Sequence, residues 1–180
     1  MNHKVLPAII IITLLSFVLV NCQNRTSTPS DIGAVATATM SGTDGAPMGS
    51  VTLTQGPNGL LVSVNMTGLP PGWHGFHLHE TGSCSPDFTA AGGHYSPDGH
   101  GHGFMHSSPH HPGDMPNIYA GPDGTAIADV FNTKAAIGED ADATIFDSDG
   151  SAIIVHAKPD SYGESPGAGD RIACGVITRN

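Results

Sequence analysis

Eight short runs of period-two alternation, with no run showing a helical period, set the strongest limit on how this chain can fold. VATATM (35–40), SVTLTQ (50–55), LLVSVNM (60–66), GFHLHE (75–80), TAIADVF (125–131), ATIF (143–146), AIIVHA (152–157) and RIACGVI (171–177) read as strands, because successive side chains of a strand point to opposite faces. Gly-rich turns such as GTDGAPMG and GPNG separate the early runs. The 24 Gly, 14 Pro and a charged share of only 12% argue against a helical bundle. At 180 residues the chain is one domain's worth, and the pattern predicts an all-β antiparallel sandwich or barrel. One stretch, from 81 to about 116, is too long for a passive connection, since loops beyond about 12–15 residues are usually functional. That stretch holds most of the 11 histidines.

The first 21 residues form an address. Lys4 precedes a 13-residue apolar run, 8–20, which suits a secretory signal peptide and falls short of the ~20 residues that span a bilayer. The run ends in Leu-Val-Asn-Cys at 19–22, which resembles a bacterial lipobox with Asn21 where Gly, Ala or Ser is usual. The expected organisation is a signal peptide at 1–21, a lipidated Cys22 with a polar tether over 22–33, and a folded domain over 34–180. An ordinary signal peptide with an incidental Cys22 is the plainer alternative. In a eukaryotic setting Asn24-Arg25-Thr26 and Asn65-Met66-Thr67 would be glycosylation sequons. Export to the bacterial envelope leaves Cys84 and Cys174, which an oxidising compartment permits to pair.

Charge excludes one class of partner. Six basic against 16 acidic residues give a net charge of −10, the wrong sign for nucleic acid. Removal of 1–21 takes away Lys4 and no acid, moving the balance from −10 to −11.

The histidines carry the chemistry. His77 and His79 sit two apart on a predicted strand, so both point to one face and can share a metal. His94, His102, His111 and Asp114 offer three imidazoles and a carboxylate, a tetrahedral zinc set. His100 and His110 stand close enough in sequence to substitute locally. His156 and Arg171 lie far off and can join only by folding.

GFHLHE, GGHYSP, HPGD, IVHAKPD and GDRIACGVI together resemble the copper–zinc superoxide dismutase family over residues 34–180. The steps 94→102, 102→111 and 111→114 match the family's zinc loop, which assigns His102 and His111 rather than their neighbours. The resemblance implies an eight-stranded antiparallel Greek-key β-barrel with long metal-binding loops. It also implies a copper held by His77, His79, His94 and His156, and a zinc held by His94, His102, His111 and Asp114, with His94 bridging. Asp160 is similar to the family's carboxylate that orients ligands of both metals. Arg171 resembles the arginine beside copper, and Cys84 and Cys174 the intrachain disulfide.

The implied reaction is disproportionation of superoxide to oxygen and hydrogen peroxide, with His94 as the proton carrier and Arg171 as the anion dock. Envelope antioxidant defence and membrane attachment through Cys22 complete the expectation; the sequence leaves both a monomer and a homodimer open. The competing function is a copper- and zinc-buffering lipoprotein without turnover. Against a −11 body, focusing by the metals and Arg171 must overcome repulsion of the anion. The segment from His156 to Arg171 has Lys158 as its one cation before the arginine, with Glu164 and Asp170, so weak steering is expected. His74 is read as a packing residue, and His100, His106 and His110 as loop residues, with capture of scarce metal as the sharper alternative. Met40, Met48 and Met66 are expected in the core or on the surface, not on copper.

Overall fold

The computed structural model describes Met1 and residues 31–180, so the expected signal peptide, Cys22 and most of the tether lie outside the described residues. Among the described residues there are nine strands: β1 (Val35–Gly42), β2 (Pro47–Gly56), β3 (Gly59–Met66), β4 (Gly72–His74), β5 (Phe76–His79), β6 (Ile118–Ala120), β7 (Ala126–Asn132), β8 (Ala152–His156) and β9 (Arg171–Arg179). Seven make one sheet in the order β5-β8-β9-β1-β2-β3-β7, and β4 pairs with β6. Every strand pair is antiparallel. β6 packs beside β7, and β4 runs into β5 with only Gly75 between them. The sheet therefore curls back on itself as a barrel of eight strand positions, one of them broken in two.

Gly75 stands at the break, where no side chain fits. A Cβ at this position would lie 2.9 Å from Ala168 Cβ and 3.2 Å from His77 Cε1. Its N–H donates to Lys158 O and its carbonyl accepts from His156 N–H, both at 2.8 Å. The break thus ties the strand carrying His77 and His79 to the residues on either side of Ala157.

One expected strand is absent. ATIF (143–146) makes only an isolated bridge, Thr144 to Ala136. Its alternation is real but has another cause: Ala143 and Ile145 are both buried in the core while the chain turns. β6 takes the eighth position instead, and a three-residue strand is too short to announce itself by period.

The core follows the period-two pattern. Ala36, Ala38 and Met40 of β1, Val51 and Leu53 of β2, and Leu60, Val62, Val64 and Met66 of β3 face inward. Met40, Met48 and Met66 all belong to this core. β5 and β8 are buried on both faces. Phe76, Leu78, Ile153 and Val155 enter the main core. On the other face of β8, Ala152 and Ile154 pack with Ala91, Cys174, Cys84 and Phe88. His77 and His79 occupy the opposite face of β5 from Phe76 and Leu78, under the long loops.

Candidate metal centre

Three segments meet over β5 through a closed ring of backbone hydrogen bonds. Leu78 N–H donates to Gly113 O, Gly113 N–H to Tyr95 O, and Tyr95 N–H to Leu78 O, each at 2.9 Å. Gly113 is required at this crossing, because a Cβ there would lie 2.5 Å from Leu78 O and 2.8 Å from Tyr95 N. Isolated bridges His77–Asp114 and His79–His94 flank the ring. Five residues separated in sequence, His77, His79, His94, His111 and Asp114, are thereby held in one place.

β8 adds His156 from the next strand, paired antiparallel with β5. His77, His79, His94 and His156 each offer a ring nitrogen within 4.8 Å of the others. The His77 and His94 rings are 4.0 Å apart, His79 and His94 5.0 Å, and His77 and His156 5.1 Å.

Each of these rings is fixed by its other nitrogen. His77 Nε2–H donates to Asp160 Oδ2 at 2.7 Å, His79 Nδ1–H to Gly92 O at 3.0 Å, and His156 Nδ1–H to Gly169 O at 3.1 Å. The remaining nitrogens, His77 Nδ1, His79 Nε2 and His156 Nε2, are buried and have no hydrogen-bond partner. Buried polar atoms are nearly always satisfied, so three orphans in one cluster mark a site built for something that binds lone pairs. Burial lowers the pKa of His77 to about 4 against the pull of Asp160. It also lowers His79 and His156, keeping the imidazoles neutral, the form that ligates metals.

A second group adjoins the first. His94 Nδ1 lies 2.9 Å, and His111 Nδ1 3.2 Å, from Asp114 Oδ1, and these three residues form another metal-capable set. Burial pushes the Asp114 carboxyl up, but the hydrogen bonds from His94 and Gly103 N–H hold it well below the usual carboxylate range. His94 belongs to both groups.

His102 is placed differently. Its ring is 5.0 Å from His94 and 5.8 Å from His111, but Nε2 is 2.8 Å from Asp160 Oδ2 and 3.7 Å from Asp114 Oδ1. Nδ1 is 2.6 Å from Gly163 O. His102 therefore groups with His77 and Asp160, beside the His94–His111–Asp114 set and not within it.

Asp160 links the two halves, since its Oδ2 faces both His77 and His102. Its Oδ1 accepts from Tyr162 N–H at 2.6 Å. Asn117, which no motif singles out, clamps the Asp160 backbone from both sides. Asp160 N–H donates to Asn117 Oδ1 at 2.7 Å, and Asn117 Nδ2 donates to Asp160 O at 3.0 Å. Nothing in an Asn within a long loop distinguishes it; the pairing spans 43 residues.

Arg171, at the start of β9, comes to the same cleft. Nη1 donates to Phe88 O at 2.5 Å and Nη2 to Gly92 O at 2.6 Å. The Cys84–Cys174 disulfide is formed, with Cα atoms 5.9 Å apart, joining the loop after β5 to β9 three residues beyond Arg171.

The remaining histidines fall outside. His74 has Nδ1 2.7 Å from His156 O and Nε2 2.7 Å from Pro70 O, a buried packing role. His110 stacks edge-on against Phe104 with centroids 4.6 Å apart, and His106 Nδ1 accepts from Ser108 N–H. Among the described residues, no metal-capable group includes His100, His106 or His110.

The family model described as copper/zinc superoxide dismutase matches residues 47–177. A copper–zinc superoxide dismutase of Caulobacter vibrioides is 42% identical over 147 residues, 79% of this chain and 84% of that protein. One from Aquifex aeolicus is 38% identical over 79% of this chain and 85% of its own length. Among solved structures, a SOD-like protein from Bacillus subtilis matches with a TM-score of 0.74 and 34% identity, covering 78% of this chain and 96% of that one. The copper/zinc superoxide dismutase from Brucella abortus matches with a TM-score of 0.66 and 31% identity, covering 80% and 99%.

Proposed function

The chain belongs to the copper/zinc superoxide dismutase family, and from that membership we propose where it works and which of its residues do what. The activity is disproportionation of superoxide to oxygen and hydrogen peroxide, with copper and zinc as cofactors. The residues fit both metals. Three buried, unpartnered imidazole nitrogens with His94 beside them suit copper, which favours imidazole. Two imidazoles and a carboxylate, with a third imidazole adjacent, suit zinc.

His77, His79, His94 and His156 would hold copper, and His94, His111 and Asp114 would hold zinc with His102 as the adjacent fourth donor. When bound, copper supplies one-electron exchange and zinc a fixed positive charge. His94 is anchored by Asp114 at Nδ1, so Nε2 is the atom at which it takes up a proton and returns it to the product. Arg171, fixed on two carbonyls, presents its remaining donors to the anion. Asp160 keeps His77 and His102 in the tautomers their roles require.

The observation that carries this reading is the convergence of three orphaned ring nitrogens beside an immobilised arginine. Metal analysis and a dismutation assay on the purified protein test it. One copper and one zinc per chain with turnover supports the assignment. Stoichiometric metals without turnover would instead support a copper- and zinc-buffering protein.

The enzyme serves envelope defence, attached to a membrane through lipidated Cys22 and a tether over 22–33. The apolar run, the Cys22 junction and the polar segment after it support this. Labelled fatty acid on the native chain, lost in Cys22→Ala, is the expected result; equal behaviour of both would overturn it. A second copy of the chain is the remaining partner. Leu61, Trp73, Tyr119, Ile127 and Phe131 are exposed on the outer face of β3, β4, β6 and β7, more than scattered apolar residues provide. Sedimentation is expected to give twice the chain mass, and a monomer at all concentrations would refute it.

A further inference from the structure

The geometry points to Asp87 as a positioning residue for Arg171, acting through the 3-10 turn that it caps. The inference rests on the reading that Arg171 docks the anionic substrate. An arginine side chain has several free torsions, so its usefulness as a dock depends on what holds the guanidinium. Here the holders are the carbonyl oxygens of Phe88 and Gly92. They are the first residue of the turn Phe88–Ala91 and its C-cap.

Asp87 sets the start of that turn. Its backbone is extended (φ −145°, ψ 172°), and its Oδ1 accepts from Thr89 N–H at 2.9 Å and from the Thr89 hydroxyl. Ala90 N–H donates to Asp87 O at 3.1 Å, and Gly92 N–H donates to Thr89 O at 3.1 Å. Thr89 is therefore gripped at its N–H by Asp87 and passes the constraint through its carbonyl to Gly92. Gly92 O then receives Arg171. A four-residue 3-10 turn has poor hydrogen-bond geometry of its own, so its cap matters more than in a long helix.

The same carboxylate has an opposing effect. Asp87 lines one cavity with Arg171, Thr43, Phe88 and Thr89, where its negative charge works against an incoming anion. Position and charge thus pull anion affinity in opposite directions, and two substitutions separate them. Asp87→Asn keeps an acceptor for Thr89 N–H and removes the charge. Asp87→Ala removes both.

The test is azide titration of the copper- and zinc-loaded protein, followed by the azide–copper(II) charge-transfer band, together with amide exchange at Thr89. Asp87→Ala is expected to weaken azide about threefold to tenfold, the scale of a lost cap, although removal of charge alone would tighten it. Asp87→Asn should bind azide at least as tightly as the native protein. Thr89 exchange should accelerate in Asp87→Ala and not in Asp87→Asn, with copper content equal in all. Native azide affinity in Asp87→Ala, equal weakening in both variants, or loss of copper from Asp87→Ala would each overturn the proposal. Arg171→Ala is the control on the underlying reading. If it binds azide like the native protein, the docking role of Arg171 fails, while Thr89 exchange still decides whether Asp87 holds the turn.

Discussion

Arg171 and His79 meet at a single atom: Nη2 of the arginine is 2.6 Å, and Nδ1 of the histidine 3.0 Å, from the carbonyl oxygen of Gly92. A proposed copper ligand and the proposed anion dock are thereby set relative to one another by one peptide group. The next residue but one is His94, and Gly93 N–H between them donates to Glu80 Oε1 at 2.7 Å. Small displacements of the 88–94 segment should therefore be felt at the metal and at the substrate together.

Gly113 is the crossing point of the three segments that carry the proposed ligands His77, His79, His94, His111 and Asp114. Gly113→Ala places a methyl against two backbone atoms that cannot rotate away. The expected cost is about 3 kcal/mol of stability, at the upper end for overpacking, with loss of most of the bound zinc. Thermal unfolding and metal analysis check both; native zinc content in the variant would show that the ring of backbone bonds does not hold the site.

Asp160 faces two imidazole donors with one oxygen. In Asp160→Asn the amide cannot accept both bonds with a full negative charge, and metal affinity should fall about 10- to 100-fold. Competition with a chelator measures it. Because the site is peripheral to the main core, the variant should remain folded, and circular dichroism separates the two effects.

The Cys84–Cys174 bond spans 90 residues. Replacing both with Ser should cost about 2–5 kcal/mol, read by denaturant unfolding. Turnover should fall further than copper content does, because Cys84 and Phe88 pack against the same small cluster as Cys174, and the Phe88 carbonyl holds Arg171. Turnover that tracks copper content one for one would remove the positional role.

Steering should be weak. Asp87 and Glu80 both act electrostatically on Arg171, and the chain carries a net charge of −10. Lys158→Ala should lower kcat/KM by less than about twofold, and raising salt through the physiological range should change it by a similar factor. A steep fall with salt, together with collapse of the variant, would mean that Lys158 guides the anion.

The residues proposed as metal ligands are legible as candidates because metal chemistry restricts residue type and because segments such as GFHLHE and HPGD keep their spacing along the chain. The β class was legible too, since burial of one strand face leaves a period of two. That same rule misassigned ATIF (143–146): two buried side chains in alternation say that a segment packs inward, not that its backbone pairs. β6 was invisible for the converse reason, its pairing with β4 being written in neither segment.

The sequence by itself determined which groups could bind metal, the sign of the surface charge and the β architecture, because these depend on residue identity and local period. Tertiary structure decided the rest. It brought His156 and Arg171 to His77 and His79, seated His102 on Asp160, and closed the Leu78–Tyr95–Gly113 ring. Each of those depends on contacts between residues well separated along the chain, and such contacts have no energy, and leave no pattern, until the chain has folded.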